Sequence, residues 1–250
     1  MGDNRGVYQK IIQDKEGYEK TIRALHGNKT FFDTADFPWV KEVESRWPLI
    51  RKEIDRLMKC VELLPGMEEI QLAPGALTND KRWKVFPIHA YGVNLEANER
   101  RCPETTRALA LIPGMCSAMF SVLQSKKDIP YHVGPFAGVL RYHLGVTVPG
   151  QMQCGIQVGE DIRHWDEGKS LIFDDTHRHG AWNRSDEDRV ILLVDFARPL
   201  PDDLAAINGQ FISMVGQGEY VVAAAEQWGK WEAVHGVKLD QELANMEIAA

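Results

Sequence analysis

The sequence predicts a mainly β domain, a sandwich or barrel of the jelly-roll kind, held between helical flanks. Three observations carry that expectation. A helix-periodic apolar stripe ends at Pro65-Gly66, short apolar runs separated by turn signals fill the middle, and helical texture returns over the last fifty residues. The 250 residues are 44% hydrophobic and 26% charged, an ordinary globular composition with enough chain to bury a sizeable core.

In chain order, Val40, Val43, Trp47, Ile50, Ile54, Leu57, Val61 and Leu64 recur in steps of three and four with charges between them, one face of an amphipathic helix. Pro48 removes a donor and clashes with the preceding turn, so the stripe is read as one helix or as two joined near Trp47. Strands are expected at 85–93, 118–123, 138–146, 154–158, 170–173 and 189–196, closed by turns at Pro149-Gly150, at Asp166-Glu167-Gly168 and over 183–188. After Leu200, the residues Val221, Val222, Ala225, Trp228 and Trp231 fit one helix face. The expected organisation is a single domain over 1–200, helical over about 1–65 with a β core at about 83–200, followed by a helical extension over 201–250.

The net charge of -7 repels phosphates, and no tight basic cluster offsets it, so no nucleic-acid partner is expected. The longest uncharged stretch, 108–123, is shorter than the roughly 20 residues of a membrane span and is broken by Pro113-Gly114. No integral membrane segment is therefore expected. The opening MGDNRGVYQK has no apolar signal core, and Cys60, Cys102, Cys116 and Cys154 have no CxxC spacing. A cytoplasmic chain with free thiols is the expectation.

The chemistry concentrates in the middle. His132 stands beside a Gly134-Pro135 turn, and His179 closes a segment in which an apolar strand runs out into polar residues. Two imidazoles at such strand ends are of the type that binds a divalent transition metal, with carboxylate or water completing the shell. The alternative is loop histidines satisfied by hydrogen bonds, and spacing alone favours that alternative. Arg189 opens the run Val190-Ile-Leu-Leu-Val194. If it points inward, burial makes its charge costly without an anion; if outward, Asp186 or Glu187 can pair with it. Alternation puts Arg141 and His143 on one face, opposite Leu140, Tyr142 and Leu144. A metal flanked by two anion-binding positions suits chelation of a small 2-oxo dicarboxylic acid.

The runs His132-Val-Gly-Pro135, Leu140-Arg-Tyr-His-Leu-Gly145, Trp165-Asp-Glu-Gly-Lys-Ser-Leu-Ile-Phe-Asp-Asp-Thr176, His179-Gly-Ala-Trp-Asn183 and Arg189-Val-Ile-Leu-Leu-Val-Asp195, in this order, resemble the aspartyl/asparaginyl β-hydroxylase family. The likeness is close over 120–199 and does not cover the tail after Leu200. Phe31-Phe-Asp-Thr34, Phe37-Pro-Trp39 and Ile112-Pro-Gly-Met-Cys-Ser-Ala-Met-Phe120 also resemble its bacterial lipid A hydroxylase branch.

The resemblance implies an iron(II)- and 2-oxoglutarate-dependent dioxygenase on a double-stranded β-helix, a cupin-like jelly roll. It uses O2 and releases succinate and CO2, with ascorbate as a supporting reductant. It makes His132 and His179 the iron ligands, and Arg189 and Ser121 the partners of the distal 2-oxoglutarate carboxylate. Arg141 and His143 would lie against the metal-proximal end of the cosubstrate or against the substrate. A ligating acid is usual two residues after the first histidine, and here that place is Gly134. The resemblance therefore implies a two-histidine centre in which Asp175, or alternatively Asp174, holds a water at the third position. Gly180 stands where the family more often carries a glutamate, which bears on substrate identity.

The substrate expected is an acidic small molecule or a peptidyl Asp/Asn-like residue, hydroxylated at an unactivated C–H bond. The alternatives are an acyl chain of lipid A, or a non-enzymatic jelly-roll module that binds a carboxylate. Trp165 and Trp182 read as covers of the barrel ends. His177 is a rival ligand that would share a face with His179 if the segment is extended. Lys126-Lys127 and Arg141 are read as receivers of a substrate anion, and the helical tail as a cap, a homodimer face or a cover of the site.

Overall fold

The computed structural model describes residues 15–71, 77–93, 95–150 and 152–248; the opening MGDNRGVYQK lies outside them. Its ten strands are β1 (Phe31–Phe32), β2 (Trp83–Ala90), β3 (Met115–Leu123), β4 (Lys127–His132), β5 (Val139–Thr147), β6 (Cys154–Val158), β7 (Asp161–His164), β8 (Ser170–Phe173), β9 (His179–Asn183) and β10 (Arg189–Ala197). They form a six-stranded antiparallel sheet, β1-β8-β5-β10-β3-β2, and a four-stranded one, β4-β9-β6-β7. Ile156 and Val158 of the smaller sheet pack with Phe173, Ile191 and Leu193 of the larger, so the two sheets face each other. The fold is mainly β, a jelly roll with flanking helices, as the sequence predicts.

All six expected strands are present within a few residues of the expected ends. The strands β4, β7 and β9 lie where loops are the natural reading. Strand β4 carries Pro130, which a sheet admits at its edge, and β4 is an edge strand. Strand β7 is the opposite edge, and its Ile162 is exposed. Strand β9, His-Gly-Ala-Trp-Asn, is too short and polar to show alternation.

The helices are α1 (Lys15–His26), α2 (Trp39–Ser45), α3 (Trp47–Met58), the single turn α4 (Met67–Ile70), α5 (Glu96–Arg101), α6 (Pro103–Leu109), α7 (Asp202–Gly216) and α8 (Glu219–Ile248). The apolar stripe is two helices and a final 3-10 turn at Val61–Leu63, because Pro48 takes a first-turn position of α3, where its missing N–H breaks no bond. Val40, Val43, Ile50, Ile54 and Leu57 pack on Leu140, Tyr142 and Leu144, which form the outward face of β5. The carboxylate of buried Glu53 accepts from the Glu104 and Thr105 amides, at 2.7 and 2.9 Å, and so caps α6.

The tail is part of this core. Trp228 of α8 meets Phe86 edge to face at 5.9 Å, and the Trp231 indole donates to the Leu63 carbonyl at 2.9 Å. The buried Arg101 guanidinium clamps α5 to Glu232 and Asp240 of α8 at 2.7 Å each. Helix α7 is held by Asn208, whose amide donates to the Gly138 carbonyl at 2.8 Å while accepting from the Tyr18 hydroxyl at 2.7 Å. Among the described residues no helix is long and apolar enough to cross a membrane. All four cysteines are buried and unpaired.

Candidate active site

One cavity between the sheets is lined by Ser121, His132, Arg141, His143, His179 and Arg189, together with Trp83, Trp165 and the apolar residues around them. Alternation explains their convergence. Arg189, Ile191 and Leu193 share the inward face of β10, and His143 with Arg141 shares that of β5.

His132 stands opposite His179 across the β4–β9 pair, and a register shift between Ile129 and His132 turns His132 inward beside it. The ring centroids are 4.1 Å apart. Each ring gives its Nδ1 proton to the carbonyl two residues before it, Pro130 or His177, at 2.9 Å. That leaves both Nε2 lone pairs available. Burial, with the neighbouring His132 and Arg141 charges, pushes the His179 imidazole down to about 3, and burial lowers His132 as well. Both rings are neutral at ordinary pH.

Gly134 sits where Asp175 needs the room. A Cβ at 134 would lie 2.3 Å from the Asp175 carboxylate, and the Gly134 amide donates to the Asp175 carbonyl at 2.7 Å. Asp175 Oδ2 takes Arg141 Nη2 at 3.1 Å, whereas buried Oδ1 has no partner. Burial raises the Asp175 carboxyl to about 6 against the pull of Arg141, with the Asp195 and Asp174 charges adding to the rise. Arg141 Nε donates to Asp195 Oδ1 at 2.9 Å, and the Ser117 hydroxyl donates to Asp195 Oδ2 at 2.9 Å. Asp174 faces elsewhere: Oδ1 accepts from the Thr176 amide and hydroxyl at 3.0 and 2.6 Å, and Oδ2 pairs with Arg198. His177 lies in a turn rather than an extended segment, so it does not share the His179 face and does not line the cavity.

At the other end stands Arg189, 1% exposed, with Nε and Nη1 lacking any partner. Neither Asp186 nor Glu187 pairs with it; Asp186 holds Lys126 at 3.0 Å. Its guanidinium lies over the Trp165 ring at 4.9 Å. Burial, opposed by the Cys154 sulfur, brings the Arg189 pKa down to about 10, so it remains a cation at neutral pH. Ser121 Oγ accepts from the Trp83 indole at 2.9 Å, which frees its own proton for another acceptor. Both ring nitrogens of buried His143 are without partners, and burial with the Arg141 and Arg189 charges holds its pKa well below the ordinary value.

Unpaired buried polar atoms of this number, turned to one cavity, describe a site shaped for a small polar ligand with an anionic end. Among the described residues no three His, Cys, Asp or Glu side chains are grouped as a metal shell.

Lys127 pairs with Asp80 at 2.8 Å and Lys126 with Asp186, and neither lines the cavity beside Arg141. Trp165 is a wall of the site rather than an end cover, and Trp83 and Asp195 belong to it without having been singled out. Asp195 left a signal: an acid ending the run Val190-Ile-Leu-Leu-Val194 must be buried and so needs a partner. Nothing in the sequence marked Trp83.

A family model described as aspartyl/asparaginyl beta-hydroxylase matches residues 44–199. An ornithine lipid ester-linked acyl 2-hydroxylase of Rhizobium tropici is 38% identical over 207 residues, a match covering 82% of this chain and 74% of that one. An aspartyl/asparaginyl beta-hydroxylase of Mus musculus is 29% identical over 214 residues, covering 80% of this chain and 27% of the other. The chain thus spans about a quarter of the length of that mouse relative. Among solved structures, a Cupin 2 conserved barrel domain protein from Salinispora arenicola CNS-205 aligns with 10% identity and a TM-score of 0.32, over 55% of this chain and 94% of that one.

Proposed function

The chain belongs to the aspartyl/asparaginyl β-hydroxylase family, and from that premise we propose that it is an iron(II)- and 2-oxoglutarate-dependent hydroxylase acting on an acyl chain. The observation that carries the cosubstrate is Arg189, a cation 1% exposed with two unpartnered N–H groups. Burial of a guanidinium without a counter-ion is a cost that an arriving anion relieves, and a carboxylate matches its fork.

The residues present fit iron and 2-oxoglutarate. His132 and His179 would hold the metal through Nε2, Arg189 and the free Ser121 proton would hold the distal carboxylate, and His143 would reach the cosubstrate between them. Asp175 Oδ1 is the free acceptor beside the histidine pair. Iron with 2-oxoglutarate and O2 supplies the oxidising power that turns C–H into C–OH while 2-oxoglutarate leaves as succinate and CO2. The protein's own part is to fix these groups, keep both imidazoles neutral and line the cavity with Ile129, Ile156, Ala181 and Leu193 so that water is excluded.

For the substrate, Arg141 is already neutralised by Asp175 and Asp195. This favours an acyl chain over an acidic side chain, in line with the activity in the Rhizobium tropici relative's name. The test is turnover with iron(II), 2-oxoglutarate and ascorbate. Succinate should form, and an ester-linked acyl lipid should gain one oxygen in its fatty acid. Binding of 2-oxoglutarate without succinate would mark a carboxylate-binding module instead, and oxygen gain by a peptidyl Asp but no lipid would overturn the acyl assignment.

A further inference from the structure

The inward face of β10 reads Arg189, Ile191, Leu193, Asp195, Ala197 in chain order, each step about 7 Å. The active-site cavity uses this face as far as Leu193, and the next rung is Asp195, paired with Arg141 of β5 at the edge of that cavity. Above the rung lies a second cavity of about 300 Å³, lined by Tyr91, Met115, Cys116, Ala197, Ile212 and Ser213 among others. That volume is at the lower end of those that hold a small organic ligand.

Two features tie this cleft to the site. Ser117, which fixes Asp195, is the chain neighbour of Cys116, and Ala197 follows Asp195 by two residues on the same strand. Tyr91 lines the cleft while feeling the charges of Asp195, Arg141 and Asp175, and Tyr220 at the start of α8 also feels Arg141. The cleft is lined by no carboxylate, lysine or arginine; its one titratable nitrogen base is His89, whose Nδ1 lies 3.9 Å from Glu99. Burial pushes the Cys116 thiol up to about 12 and raises the Tyr91 hydroxyl, so both stay neutral. The outer wall is α7, and the chain from Leu204 to Gly218 contains no charged residue. Close packing builds that wall: a Cβ on Gly216 would lie 2.9 Å from the Tyr91 carbonyl. Met214, Tyr220 and Val222 are exposed apolar side chains of the same corner.

We propose that the cleft between Tyr91, Cys116, Ala197 and α7 receives the apolar tail of the substrate. The polar ester end then lies at the Arg141–Asp195 rung, over the histidine pair. The inference rests on the acyl reading above. It gives the C-terminal helices, which the family model does not match, a share in choosing the substrate.

The probe is 11-(dansylamino)undecanoic acid, titrated by fluorescence into the full chain. Filling the cleft from either wall, with Ala197→Phe from β10 or Ser213→Trp from α7, should weaken binding at least tenfold. Val237→Trp, at an exposed position of α8, should leave it unchanged. No binding by the wild-type chain, or equal binding by both filled variants, overturns the subsite. Acyl hydroxylation by filled variants that bind the probe as wild type would leave the functional reading standing and remove the cleft from it. Loss of probe binding in the filled variants of a chain that hydroxylates no lipid would do the reverse.

Discussion

The two ends of the active-site cavity each hold an arginine inside the same barrel, and the two are treated in opposite ways. Arg141 is locked between Asp175 and Asp195 at 3.1 and 2.9 Å. Arg189 is more deeply buried, yet has only the Trp165 face beneath it and two N–H groups pointing at nothing. A buried charge that is fully paired belongs to the architecture, whereas one left unpaired holds a place for a ligand. The pairing, rather than the residue type, separates the framework of this site from its binding surface.

Breaking the comparison most completely requires removing what lies between the two arginines. His132→Ala or His179→Ala should abolish iron binding in a metal titration, and with it all succinate formation. Retention of stoichiometric iron by either variant would refute the histidine pair as the metal site. Next in size, Arg189→Met should lower 2-oxoglutarate affinity by about two to three decades, equivalent to roughly 3–4 kcal/mol, while thermal stability stays level or rises. Unchanged 2-oxoglutarate affinity by calorimetry would show that the unpaired arginine waits for something else.

Arg141→Met should give the mirror image: a stability loss of about 3 kcal/mol in urea unfolding, because two carboxylates are left buried without their cation. Gly134→Ala comes below it at about 2 kcal/mol, since the added Cβ overlaps the Asp175 carboxylate and forces a shift. An alanine as stable as wild type would mean that Asp175 has room to move.

The smallest effect concerns the neighbouring acid. Burial raises the Asp174 carboxyl, but the Arg198 charge and the hydrogen bonds from Thr176 and Arg198 outweigh it, so the folded value lies below the ordinary 3.8. A depressed folded value stabilises above the ordinary one, and the contribution is lost as pH falls through the folded value. Asp174→Asn should therefore cost about 1 kcal/mol at neutral pH and flatten the acid side of the stability profile. An unaltered acid limb would exclude Asp174 from it.

Legibility in the sequence followed the same division. Strand β5 was plain because Arg141 and His143 alternate with Leu140, Tyr142 and Leu144, β10 because its continuous apolar run suits a strand buried on both faces, and β6 and β8 because turns bracket short apolar runs. The edge strands β4 and β7 were hidden because their residues answer to solvent, and Pro130 reads as a loop until its edge position is seen. Arg189 was readable as a buried charge from the apolar run it opens. Its lack of a local partner was not, because that depends on where Asp186 and Glu187 turn. The Asp174 and Asp175 carboxylates are adjacent in sequence, and only the turn at 175–177 sends one to Arg198 and the other to Arg141.

The close fit of Gly134 against Asp175 also bears on how such a site can change over generations. An acid introduced at 134 collides with the carboxylate already present, and removing Asp175 first strips Arg141 of one of its two partners. Neither single substitution is a comfortable intermediate. A lineage moving between this arrangement and one with an acid at 134 must cross a dip in fitness or make both changes together. The pair should therefore be inherited as a unit, an epistatic lock set by a few ångströms of shared space.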